Sequence, residues 1–310
     1  MYQLKRIVVS IDLTDLDEEV VCYTSVMAEM MDADTIYFLH VAKNLDLPDN
    51  LSDEYREALA PIDETIKYET RNTVDQYFSS RKTTATSVEV LEGKPTETLL
   101  KYAKRKEADL IVLGKPNRDQ RPRLNLGKIA ELSHCSVLFV PKGADIRIDK
   151  VGVALDFSKH SNRALEQAFR MMKEGERRNP PVTVYGLHVY KVPNGFPKTG
   201  KSYEEFARIM EQHAQEDAAK FFKIHKIDPD DCQMRYQLTK DAAVHDELQT
   251  FAEGNDLDVL LIGSQGRTAA ASLLLGSVSE EMLHYENHIP LFIVKEKDSN
   301  LGFFQALFKL

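Results

Sequence analysis

The residues with the clearest chemistry are Gly263, Gly266, Gly276 and Ser277, spaced Gly-x2-Gly-x9-Gly-Ser. An apolar run, Asp258 to Ile262, leads into the first glycine, and a helical pattern from Val278 to Tyr285 follows the last. A buried strand feeding a glycine-bearing loop and then a helix start presents backbone N–H groups to an anion, above all a phosphate. Gly263 and Gly266, lacking a Cβ, let the chain turn and a ligand approach the backbone closely. Gly276 and Ser277 open the helix, where N–H groups, the helix dipole and the Ser277 hydroxyl favour negative charge. The plainer alternative is glycines that only make a tight turn.

Other chemistries find less support. Gly93-Lys-Pro-Thr96 is not a P-loop, and the Gly-x4-Gly-Lys-[Ser/Thr] pattern does not occur. No serine, histidine and aspartate stand in a recognisable hydrolase context. Cys22, Cys135 and Cys232 lie far apart and form no metal or redox motif, so buried packing in a reducing compartment is expected. His284 and His288 have the spacing of one helical face. Pro290 should end that helix, however, and no carboxylate or thiol motif accompanies them. His40 and His188, at strand ends, read as hydrogen-bonded framework.

The elements that must position the glycines recur in a fixed order. In the first half Lys5 to Ile11 reads as a strand ending at Asp12, Leu16 to Met31 as a helix, and Thr35 to Val41 as a strand. A charged helical stretch, roughly Ser52 to Ser80, precedes a strand at Ser87 to Leu91. A helix from Thr96 to Lys106, a strand at Asp109 to Leu113, a short helix near Gly127 to Ser133 and a strand at Val137 to Val140 complete it. The order restarts at Val151, with Asp156 after the first strand, a helix from Ser161 to Met172, a strand from Val182 to Val189 and a helix from Tyr203 to His225. Gln233 to Leu238, Asp241 to Glu253, Asp258 to Ile262 and Leu291 to Val294 follow.

The landmarks match. His-Val closes the second strand in both halves, as His40-Val41 and His188-Val189, and the interval from Gly114 to Gly127 equals that from Gly263 to Gly276. This is a duplicated domain. Alternating strands and helices imply parallel sheets covered on both faces.

The segment from Asp256 to Val294 closely resembles the ATP-binding part of a universal stress protein domain, a family marked by Gly-x2-Gly-x9-Gly-[Ser/Thr] after its fourth strand. The resemblance implies two tandem doubly wound five-stranded sheets of strand order 3-2-1-4-5, adenine-nucleotide alpha-hydrolase-like. It gives domains at 1–143 and 149–297 with an apolar tail at 298–310. It also implies ATP, with magnesium, as cofactor. Ala154, Leu155 and Asp156 then match the end of strand one, where the acid reaches the ribose or the metal side. A plain helix cap is the alternative for Asp156. Val189 matches the residue whose backbone meets adenine; Ile262, Gly263, Gln265 and Gly266 match the loop wall. Gly276, Ser277, Val278 and Ser279 match the phosphate-binding helix start.

The first half departs from this pattern: Asn117 replaces the second glycine, and Lys128 replaces the hydroxyl. Its site is expected to be degenerate. Lys115, Arg118, Arg121, Arg123 and Lys128, against Asp119 alone, read as a solvated basic loop, with an anion or acidic partner as the alternative.

The chain has 310 residues, 43% hydrophobic and 29% charged, with a formal charge of −9. This describes two globular domains and argues against general nucleic-acid binding. The N-terminus lacks a signal-peptide layout and no apolar run spans a membrane, so a cytoplasmic location is expected. The favoured function is an ATP-binding stress-response sensor or regulator acting through conformation or assembly. The alternatives are a slow ATPase or nucleotidyl-transfer enzyme, and an interaction module with a vestigial site. The apolar final strands favour an internal pseudo-dimer or a homo-oligomer. Leu301, Phe303, Phe304, Leu307 and Phe308 give the tail an apolar surface that should dock on this protein or on a protein partner.

Overall fold

The computed structural model describes residues 3–45, 62–79, 84–117, 123–176, 180–240, 242–266 and 275–298. The chain divides into two units: Met1–Arg147 with Glu286–Pro290 and Glu296–Leu310, and Ile148–Tyr285 with Leu291–Lys295.

In the first unit β1 (Arg6–Ile11), β2 (Thr35–Ala42), β3 (Ala85–Glu92), β4 (Leu110–Lys115) and β5 (Ser136–Pro141) alternate with helices. These are α1 (Leu16–Met31), α2 (Ile62–Tyr77), α3 (Pro95–Arg105) and α4 (Leu126–Leu132). The strands are parallel in the order β3-β2-β1-β4-β5. Central strands β1 and β4 carry fully buried Ile7, Val8, Val9, Ile111 and Val112. A strand covered on both faces needs such an unbroken apolar run.

The second unit repeats the plan. Its strands are β6 (Lys150–Ala154), β7 (Thr183–Lys191), β8 (Gln233–Thr239), β9 (Val259–Gly263) and β10 (Leu291–Val294). The helices are α5 (Lys159–Gly175), α6 (Tyr203–His225), α7 (Val244–Gly254) and α8 (Ser277–Met282). The parallel order is β8-β7-β6-β9-β10, the expected 3-2-1-4-5 arrangement. The winding reverses between β6 and β9, as between β1 and β4, and the crevice at such a reversal opens at the carboxyl ends of the strands.

One carboxylate in each unit pins the opposite ends of these strands. Asp109 Oδ2 accepts from the Lys5 and Arg6 amides at 2.8 and 2.9 Å. Asp258 Oδ2 accepts from the Asp149 and Lys150 amides at 2.7 and 2.8 Å.

The structure corrects the sequence reading at the end of α8 and at Cys22. Helix α8 stops at Met282 and not at Tyr285, because the Leu283 and His284 amides turn back to Glu280 O and Glu281 O, three residues earlier. His284 and His288 therefore do not share a helical face. Cys22, expected to be buried, is only half-buried on α1, whereas Cys135 and Cys232 are buried. Of the long charged stretch, residues 52–61 and 80 lie outside the described residues.

Candidate functional site

Strand β6 delivers Ala154, buried Leu155 and then Asp156 to the crevice. The Leu155 carbonyl accepts from His188 Nδ1 at 2.7 Å, tying the ends of β6 and β7 together. A carbonyl only accepts, so Nδ1 carries the proton. His40 makes the same contact with Ile11 O at 2.8 Å, which is the framework role expected of both histidines. Val189 is the next residue of β7, half-buried and paired with Gln237 of β8.

Asp156 serves two directions. Its Oδ1 accepts from the Ser158 amide at 3.0 Å, and Ser158 in turn caps α5 through the Ser161 amide at 3.2 Å. Its Oδ2 faces the glycine loop: a Cβ built on Gly266 would lie 3.1 Å away. Between Asp156 and Ser158 the backbone takes a left-handed turn at Phe157, with φ of 60°. Its ring stacks on His188, with centroids 4.4 Å apart, and leans on Phe221 at 5.6 Å. Left-handed backbone is costly for a bulky side chain and persists where surrounding contacts enforce it. The sequence reading did not find Phe157; its only signal was a large apolar residue between two turn-forming ones.

The far side of the crevice is the loop after β9. Ile262 is buried, and Gly263 ends the strand. A Cβ on Gly263 would stand 2.8 Å from the carbonyl carbon of His160 on α5. This glycine therefore makes room for helix packing. Ser264 O accepts from the Gly276 amide at 2.9 Å, which closes the loop at its base. A Cβ on Gly276 would lie 3.4 Å from the Cα of Gln265. Asp156, Gln265, Gly266 and Gly276 are thus gathered at one place.

Gly276 is the N-cap of α8 and has no side chain with which to cap it. Ser277 is exposed at the helix start, with half-buried Val278 behind it. Ser279, the next residue but one, is buried. Its buried hydroxyl donates to Gly263 O at 2.9 Å and fastens the helix to β9. Among the described residues no cluster of three or more metal-ligating side chains occurs. A magnesium ion carried by nucleotide phosphates needs only one or two protein carboxylates. Asp156 Oδ2, facing a glycine without a Cβ, fits that requirement.

The first unit keeps the frame and changes the lining. Leu13 repeats the left-handed turn, with φ of 56°. Gly114 again makes room for the first helix, since a Cβ there would meet Leu16 Cδ2 at 2.5 Å. The lining differs at two points. Asn125 caps α4, its Oδ1 accepting from the Lys128 amide at 2.8 Å. Arg123 is exposed and also tied to the backbone: Nη1 donates to Asp12 O at 2.8 Å and Nη2 donates to Val41 O at 3.5 Å. Lys115 is buried, while Arg118, Asp119 and Arg121 lie outside the described residues. Burial pushes the Asp12 carboxyl up, against the pull of Arg123 and His40.

Comparison with known proteins decides the family. The universal stress protein family profile matches residues 3–141 and again 147–295. The chain belongs to the universal stress protein family, in tandem form. It is 29% identical over 167 residues to universal stress protein MJ0577 of Methanocaldococcus jannaschii, covering 48% of this chain and 96% of that protein. Universal stress protein MJ0531 of the same organism is 30% identical over 146 residues, covering 44% and 82%. The crystal structure of a universal stress protein from Archaeoglobus fulgidus matches with a TM-score of 0.60 at 19% identity, covering 96% of this chain and 98% of that one. Protein PA1789 of Pseudomonas aeruginosa, described as functionally unknown, matches with a TM-score of 0.64 at 14% identity, over 99% and 98%. These two likenesses speak for the fold. No helix among the described residues is long and apolar enough to cross a membrane.

Proposed function

We propose that the second unit binds one adenine nucleotide, ATP with magnesium, and that the chain acts as an ATP-dependent regulator in a stress response. The observation that carries this reading is the meeting of Asp156 Oδ2 with Gly266, beside Gly276, at the reversal of strand order. A carboxylate, side-chain-free backbone and a helix start whose N-cap is glycine converge there, at the place where sheets of this winding receive ligands. In this reading the Val189 backbone holds the base and Asp156 takes the ribose or the metal. The loop wall of Ile262, Gly263, Gln265 and Gly266 follows the phosphates, which Gly276, Ser277, Val278 and the Ser279 amide receive. The magnesium ion neutralises phosphate charge.

The first unit provides the contrast, since there Asn125 takes the helix-start amide and Arg123 takes the strand-end carbonyls. Binding of the nucleotide would then act through conformation or assembly. Calorimetry with magnesium and ATP on stripped protein tests the proposal, and one nucleotide per chain is expected. Absence of binding overturns the function, and two equivalent sites overturn the difference between the units. Mass spectrometry of the co-purifying ligand identifies the nucleotide independently.

A further inference from the structure

The chain crosses from the second unit into the first shortly after α8. Residues through Tyr285 belong to the second unit, Glu286–Pro290 to the first, and Leu291–Lys295 to the second again. An anchor stands on each side of the first crossing. On the near side the Tyr285 hydroxyl donates to Asp246 Oδ1, in the first turn of α7, whose Oδ2 accepts from the Ala243 amide at 3.1 Å. On the far side His288 Nδ1 meets the Lys142 carbonyl at 2.8 Å. A carbonyl only accepts, so Nδ1 is the donor. Gly143 cradles the ring: its φ is 79°, and a Cβ there would stand 2.7 Å from His288 Nδ1. The Gly143 amide in turn donates to Glu19 Oε1 on α1 at 3.1 Å. Only Glu286 and Asn287 separate the two anchors, so the stretch from Tyr285 to His288 reaches about 11 Å at most.

We infer that His288 is a positioning residue that carries the occupied state of the second-unit site into the first unit. The inference rests on the nucleotide reading of that site. A nucleotide held at Gly276 and Ser277 orders the start of α8, and that helix ends at Met282, three residues before Tyr285. Ordering therefore spreads over a few residues to the connector. A ligand that orders one segment lowers the entropy cost of fixing the next. The His288 contact is firmer when the site is filled, and by linkage its loss weakens nucleotide binding by the same factor. A contact passes on no more than its own worth. His288 is exposed, and one hydrogen bond there is worth about two- to fivefold in an equilibrium constant.

The test is hydrogen exchange on the full chain with and without magnesium and ATP, alongside calorimetry. The reporters are the Gly143 amide, bonded to Glu19, and the Ala144 amide, bonded to Pro141 O at 3.4 Å. In wild type both are expected to exchange more slowly when ATP is bound. His288→Ala should lose that response and bind ATP about two- to fivefold more weakly. His288→Gln, which keeps a side-chain N–H donor, should recover part of both. Wild type that binds ATP without protecting Gly143 and Ala144 overturns the relay and leaves the nucleotide reading standing. Wild type that binds no ATP overturns both. Protection that persists in His288→Ala, or in Gly266→Val at an ATP concentration that leaves that variant empty, also overturns the relay, since the signal then enters the first unit elsewhere. The wild-type comparison needs no variant, so a substitution that fails to fold leaves the decision intact.

Discussion

Gly263 and His160 are in backbone contact: a Cβ on the glycine would stand 2.8 Å from the histidine carbonyl carbon and 2.9 Å from its oxygen. The repeat places Gly114 against the Leu16 side chain instead, with a Cβ at 2.5 Å from Leu16 Cδ2. A backbone obstacle moves only with its helix, whereas a leucine tip rotates. Gly263→Ala is therefore expected to destabilise the protein by about 1–3 kcal/mol, the usual range for overpacking. Gly114→Ala should cost less. Urea denaturation of the two variants compares them directly, and equal losses would contradict the distinction.

Gly266 is exposed, and the group nearest its missing Cβ is the Asp156 carboxylate. Gly266→Val should leave thermal stability within about 0.5 kcal/mol of wild type, as for ordinary surface changes. ATP binding by calorimetry should fall at least about tenfold, equivalent to about 1.4 kcal/mol. A variant that binds normally would show that the ligand does not pass between this loop and Asp156.

The two serines of α8 are expected to separate binding from folding. Ser279 bonds the Gly263 carbonyl from a buried position, so Ser279→Ala should lower stability by about 0.5–1.5 kcal/mol. Ser277 is exposed at the helix start, so Ser277→Ala should instead weaken ATP binding by roughly ten- to a hundredfold, the worth of a hydrogen bond to a charged group. Denaturation and calorimetry on both variants are the measurements. Reversed effects would exchange the roles.

Asp17, at the start of α1, is 5% exposed, and burial pushes its carboxyl from 3.8 to about 6. Its oxygens accept from the Asp12 and Thr14 amides, which oppose the rise. The folded state holds a proton that the unfolded state has lost across this interval, so the contribution to stability declines as pH rises from about 4 to about 6. The full rise corresponds to on the order of 3 kcal/mol. Asp17→Asn should flatten this part of the stability profile while losing one of the two amide contacts. Parallel wild-type and variant profiles between about pH 4 and pH 6 would show that Asp17 does not cause the slope.

The duplication and the parallel winding were legible because apolar runs and recurring landmarks are properties of the sequence itself. The boundaries of α1 and α6, Leu16–Met31 and Tyr203–His225, could be read from periodicity alone. The meeting of Asp156 with Gly266 was legible only through topology, since the residues are far apart in the chain. Less visible were contacts that depend on where a side chain turns. Ser279 sits beside Ser277 in the motif, yet faces the strand. Arg123 carried only the signature of a charged loop, because donation to backbone carbonyls leaves no complementary residue type to find. The left-handed turns at Leu13 and Phe157 were hidden because glycine, the usual marker of that geometry, is absent from both.

The carboxylates of Asp109 and Asp258 hold the strands at the end remote from the crevice, with the same pair of amide contacts in each unit. Divergence between the repeats therefore has a polarity along the strand axis. The amino end is anchored by a contact that either copy loses only with strand alignment, while the carboxyl end is free to exchange glycine for asparagine and serine for lysine. A gene duplication on such a frame yields one copy released to acquire new chemistry without endangering the architecture of either.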